Sequence, residues 1–170
     1  MADTKYSSRD LQKWLLTKAS QSSGAHARRV ITANDERSRD YTAIGRLYFF
    51  AYDPKWKHQL SQYDKFPMVF PIEQYPDGFL GLNLHYLTVP ERQKLLGRLM
   101  GYANNTRMNK TTKLRLSYDL IQSTRTLNSL ARPCIKRYLF NHCRSNFIEV
   151  YANEYDKAIQ LPVADWVFNR

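Results

Sequence analysis

At 170 residues the chain is about the size of one domain with appended segments, long enough to bury a core without disulfides or metals. Its 26 Lys and Arg against 15 Asp and Glu give a formal charge of +11, and its aromatic content of 14%, with 12 Tyr against 3 Trp, is high for a soluble enzyme and suits contact surfaces. No stretch approaches the roughly 18 apolar residues of a bilayer span, and Met1 to Asp10 lacks the apolar core of a signal peptide. Cys134 and Cys143 fit neither a zinc hook nor a redox Cys-x-x-Cys, so the expectation is a reducing cytoplasm and packing thiols.

Ser7 or Ser8 caps an expected helix over Asp10 to Ala19, with Leu11, Trp14, Leu15 and Lys18 at spacings of three and four. Ser20 to Tyr41 is polar and has little to bury, so it reads as a linker or a surface-draped segment. Ile44 to Tyr52 is apolar and aromatic, an expected strand closed by the turn Asp53-Pro54-Lys55. Met68 to Tyr75 is a second strand, in which Pro71 demands an edge position or a bulge. Pro76-Asp77-Gly78 turns into a third, Phe79 to Tyr86, whose glycines and bulky apolar residues indicate close packing.

Thr88-Val89-Pro90-Glu91 is a capping box, and Leu95, Leu96, Leu99 and Met100 give the helix it starts a buried stripe. Asn104-Asn105-Thr106 ends that helix. Leu114 to Leu127 fits strand and helix periods in different parts and is taken as a helix. Pro133 suggests a first-turn position for a helix running to Cys143, and Asn146 to Tyr151 and Ala158 to Val163 suggest late strands. The expected class is α+β: a small antiparallel meander or half-open barrel with packed helices, residues 44–170 forming one domain and residues 1–43 an N-terminal helical arm and linker.

The charge is unevenly distributed. Arg46 to Leu87 is neutral, with four basic and four acidic residues, whereas Gly101 to Asn146 has nine basic residues and a single acid, Asp119. Such a block faces solvent or something anionic. Arg115, Arg125, Arg132, Lys136, Arg137 and Arg144 are the candidate phosphate contacts, and Arg suits bidentate contact with phosphate. On the expected helix after Pro133, Lys136 and Arg137 would share a face with Tyr138 and Asn141. A solvated helix face or a docking surface for an acidic protein remain the alternatives.

Signatures of catalysis are missing from the sequence: there is no Gly-rich phosphate loop, His-Glu-x-x-His or Gly-x-Ser-x-Gly. His58, His85 and His142 are scattered, and His85 reads as a hydrogen-bonded packing residue. Asp64-Lys65 and Glu73 with Asp77 could be drafted into a metal-dependent nuclease, yet Asp beside Pro and Gly commonly serves turns. No catalytic residue, metal or cofactor is expected.

Gly45-Arg46-Leu47-Tyr48, Tyr52-Asp53-Pro54-Lys55, Tyr63-Asp64-Lys65-Phe66-Pro67 and above all Gly78 to Leu87, with weaker support from Arg132 to Leu139 and Ala158 to Pro162, resemble a small protein of T-even-like contractile-tailed bacteriophages. The similarity covers roughly residues 44 to 163. It implies a non-enzymatic part of the virion or of its assembly pathway, located in the particle and in the host cytoplasm during assembly. Phage structural proteins and double-stranded DNA are the implied partners, without a membrane, and guarding the ends of packaged DNA is one such role. The combined expectation is an aromatic β-module that packs on protein and a basic surface that meets DNA phosphates; the alternative is a purely structural neck, tail or baseplate component.

Overall fold

The computed structural model describes residues 24–33, 35–103, 105–127, 134–161 and 163–170. The helix expected over Asp10 to Ala19 lies outside them. Among the described residues four helices, α1 (Gly24–Thr32), α2 (Val89–Ala103), α3 (Lys110–Leu127) and the single-turn α4 (Tyr155–Ala158), accompany eight strands. Strands β1 (Ser38–Arg39), β2 (Leu47–Phe49), β4 (Met68–Tyr75), β5 (Gly78–Asn83), β6 (Ile135–Leu139) and β7 (Phe147–Val150) form one antiparallel sheet in the order β1-β7-β2-β4-β5-β6. Strands β3 (Gln62–Asp64) and β8 (Trp166–Phe168) pair separately.

The expected meander is present as β2-β4-β5, and the fold is α+β. Because successive strand residues face opposite ways, Leu47 and Phe49 point to one side of β2 and Tyr48 and Phe50 to the other. Both sides are buried. On the first, Leu47, Phe49, Met68, Phe70 and Leu82 meet Leu95, Leu96 and Leu99 of α2. On the second, Tyr48, Phe50, Tyr52, Phe79, Tyr138 and Phe147 form a closed aromatic cluster. Phe50 is its hub, 5.1 Å from Phe147 and 5.3 Å from Tyr138, edge to face in both pairs. Phe79 and Phe147 meet at 5.9 Å, although β5 and β7 are three strand intervals apart, about 14 Å in a flat sheet. The sheet is therefore strongly curled around its aromatic face, like a half-open barrel.

Local sequence explains several features. The register between β4 and β5 shifts between Pro71 and Glu73, the bulge that Pro71 requires in an interior strand. A Cβ added at Gly78 would overlap the Tyr138 carbonyl, so only glycine lets β6 approach β5 this closely. Thr88 and Glu91 form their capping box, the Thr88 N–H donating to Glu91 Oε2 at 2.7 Å and the Glu91 N–H to Thr88 Oγ1 at 3.4 Å.

Three expectations need correction. The segment after Pro133 is not a helix: Ile135 to Leu139 is β6, hydrogen-bonded along β5. Ala158 to Val163 is not a strand but the end of α4 and the turns after it, with Ile159, Leu161 and Val163 turned inward. The polar stretch after Ser20 is built into the fold where it is described, α1 tying to the C-terminal region through Arg28 and Asp165 at 3.4 Å and β1 pairing with β7. Arg37 donates both terminal nitrogens to Glu154 at 2.5 Å, with 9% and 0% of the two side chains exposed. Its guanidinium also lies 4.7 Å from the Tyr151 ring centre.

Candidate nucleic-acid interface

Strand β6 is at the edge of the sheet, and it carries Lys136 and Arg137 opposite Gly81 and Leu80 of β5. Lys136 Nζ sits 4.6 Å from the Tyr86 ring centre and Arg137 Cζ 3.9 Å from that of Tyr75. Arg137 also pairs with Asp77. Lys136 is half-buried, and among the described residues no carboxylate lies within ion-pair distance of it. Burial holds its ammonium below the ordinary lysine value of 10.5.

The two cations border a cavity of about 520 Å³ lined by Tyr52, Trp56, Tyr63, Tyr86 and Tyr138, with Lys55 and Gln62 also in its wall. Trp56 is 59% exposed, unusual for so large an apolar side chain. Lys55 Nζ lies 5.1 Å from the centre of its ring. The buried polar groups of the lining are Asp64 and Asn83.

Asp64 ties the cavity together. Its Oδ1 accepts the Phe66 and Asp165 N–H groups, both at 3.0 Å, and its Oδ2 contacts His85 Nδ1 at 2.5 Å and the Asn83 amide at 3.3 Å. Burial alone would raise its carboxyl, but the bonds from His85 and the two backbone N–H groups outweigh this and leave it below the ordinary value. Four partners occupy the lone-pair sites of one carboxylate, so Asp64 has no lone pair to offer a metal. Glu73 and Asp77 lie exposed toward the tip of the β4–β5 hairpin. Among the described residues no group of three or more His, Cys, Asp and Glu side chains is placed to hold a metal ion.

Beside the cavity, Asp53 accepts from Lys57 Nζ at 2.9 Å and faces Arg144 Nη2 at 3.5 Å. Its carboxyl is held below the ordinary value, first by the Lys57 hydrogen bond. Tyr52 bridges to Cys143, and the His142 carbonyl accepts the Asp53 N–H at 3.0 Å, so this rim is joined to the sheet. His58 is exposed, whereas His85 is buried beside Asp64, as expected of a packing residue. Cys134 and Cys143 are both free thiols.

Five of the six cations named from sequence therefore fall into two groups. Lys136, Arg137 and Arg144 border or flank the aromatic cavity. Arg115 is on α3, 82% exposed and 3.9 Å from Asp119, and Arg125 is in the last turns of the same helix. Arg132 lies outside the described residues. Tyr138 turns into the core instead of joining Lys136 and Arg137 on a helix face, and Asn141 belongs to the turn after β6. Arg115, Arg137 and Arg144 each have an aspartate partner. Those pairs are exposed enough to be weak and open to competition from a phosphate.

Sequence reasoning passed over Lys55 and Trp56, which the Asp53-Pro54 turn presents at the cavity, and Lys94 and Arg98, exposed one turn apart on α2. A Trp next to a Lys in a turn was the signal that could have found the first pair. Most aromatics of the neutral module are spent inside the domain, with Tyr48, Phe50, Phe70 and Phe79 fully buried. Among the described residues no helix is long and apolar enough to cross a membrane.

A family model described as Phage T4 terminal DNA protecting protein matches residues 20–170. No curated protein and no solved structure matches the chain.

Proposed function

Since the chain belongs to the phage T4 terminal DNA protecting protein family, we propose that it binds the ends of phage DNA and shields them without catalysing a reaction. The observation that carries the chemistry is the cationic edge at and beside β6, where a half-buried Lys136 lacks a carboxylate partner among the described residues and the carboxylate partners of Arg137 and Arg144 are the aspartates Asp77 and Asp53 near the surface. Lys136, Arg137 and Arg144 contact phosphates at the terminus, and Arg115, Arg125 and Arg132 are the further cations proposed to contact the DNA backbone. Such a protein acts in the particle, or in the host cytoplasm while particles assemble.

Binding to a linear blunt duplex and to a covalently closed circle of the same sequence, titrated with salt, tests this. The linear form should bind tighter, and about six phosphate contacts give a log–log slope near −5.4, roughly an 1,800-fold loss between 50 and 200 mM salt. Replacing Lys136, Arg137 and Arg144 with Gln should make the slope shallower by about one for each phosphate no longer neutralised. A flat salt response removes the phosphate role, and equal affinity for the circle removes the preference for ends.

A second reading, a structural neck, tail or baseplate component, draws on the exposed Tyr41, Val89 and Phe168, at 55%, 49% and 67%. It predicts stoichiometric co-purification with another virion protein in high salt. Deletion of residues 1–20, which stops short of α1 and β1, should then abolish assembly without unfolding the domain.

A further inference from the structure

We propose that the aromatic cavity beside β6 is a pocket for one unpaired deoxynucleotide at a DNA terminus. This rests on the end-binding reading and specifies what part of an end is held. The size fits one nucleotide: about 520 Å³ lies within the range of small-ligand pockets, whereas a base pair with both of its backbones would not enter. The wall also fits. A base is a flat π-surface, and Trp56, 59% exposed at the mouth, offers it a stacking face that the fold does not use for its own core. Tyr63 and Tyr86 supply further aromatic surface in the same wall.

A phosphate attached to that base would meet Lys136, a half-buried ammonium with no carboxylate partner among the described residues, and Lys55 and Arg137 around it. An ammonium in that position is set to take an anion, because burial has removed water from it without supplying a counter-ion.

The same geometry says what the pocket does not read. Asp64 is saturated by four partners, and Asn83 spends its amide on Asp64 and its carbonyl on the His85 N–H at 3.0 Å. Gln62 is the lining amide left to face a base edge. Stacking without a set of fixed donors and acceptors is tolerant of sequence, so the four bases should bind within about threefold of one another.

The experiment compares four duplexes of one sequence by fluorescence anisotropy with the full chain: blunt, with a single-nucleotide 3′ overhang, with a single-nucleotide 5′ overhang, and covalently closed. At least one overhang should bind about tenfold tighter than the blunt end, the usual scale for a stacked base, and the identity of the better overhang assigns the strand. Trp56→Ala should bring the overhang-to-blunt ratio to about one, Trp56→Phe should keep most of it, and thermal midpoints report whether each variant is folded. Overhangs no better than blunt ends, or a ratio that survives in both Trp56→Ala and Tyr63→Ala, overturn the pocket while leaving end binding intact. Equal affinity for linear and closed DNA overturns end binding and the pocket with it.

Discussion

Replacing Arg37 with Ala would leave the carboxylate of Glu154, 0% exposed, without its two guanidinium bonds at 2.5 Å. One hydrogen bond to that carboxylate would remain, from the Tyr151 N–H at 3.1 Å. Removing one partner of a buried ion pair costs about 3–5 kcal/mol, because the remaining charge has neither water nor a counter-ion. The missing stack of the guanidinium on Tyr151 acts in the same direction. For a domain of this size each kcal/mol is worth about 2–4 °C, so the thermal midpoint should fall by roughly 6–20 °C, read by far-ultraviolet circular dichroism. Replacing both partners, as in Arg37→Met with Glu154→Leu, should cost much less than the sum of the single variants, since no charge is then stranded. A loss under about 1 kcal/mol for Arg37→Ala would refute the reasoning, because it would mean that water reaches Glu154 and that the polar segment carrying Arg37 is not anchored by it.

Three further outcomes are expected. Asp64 titrates below the ordinary 3.8, so its contribution to stability is complete above about pH 4 and is lost as pH falls through the lower folded value; the stability gap between the native chain and Asp64→Asn, from urea unfolding, should hold from pH 7 to 5 and narrow in more acid solution. Gly78→Ala places a methyl against the Tyr138 carbonyl and should cost about 1–3 kcal/mol; because β6 must shift, DNA affinity should drop as well, which binding at a temperature below the variant's midpoint will show. Burial pushes the Cys134 thiol up to about 11 and the Cys143 thiol up to about 12, which leaves fewer than about one thiolate in 10⁴ at pH 7; both should resist a thiol reagent in the native protein and react once urea unfolds it.

Where one residue type determines backbone geometry, the fold was legible. Pro71 requires the bulge, Thr88 with Glu91 starts α2, and Gly78 permits the close strand pair. Periodicity served for Leu114 to Leu127, which lies in α3, and failed at two later segments. Pro133 suggested the first turn of a helix running to Cys143, but pairing along β5 makes Ile135 to Leu139 a strand and outweighs that local preference. Ile159, Leu161 and Val163 alternate like a strand and are indeed all buried, yet turns and not a ladder hold their backbone. In the candidate interface, composition located the cations and little else. The Arg37–Glu154 tie joins residues 117 apart and the Asp64–His85 tie residues 21 apart, and neither spacing carries a local signal.

The position of β7 has a kinetic consequence. It lies between β1 and β2, so Arg39 pairs with Phe147 and Leu47 with Val150 across some hundred residues of chain. Closing loops of that length makes barrier crossing slow. During synthesis β1 must wait for a partner made some hundred residues later, while β2 can pair with β4 first, and a chain interrupted before Phe147 exposes the rings that will later surround Phe50.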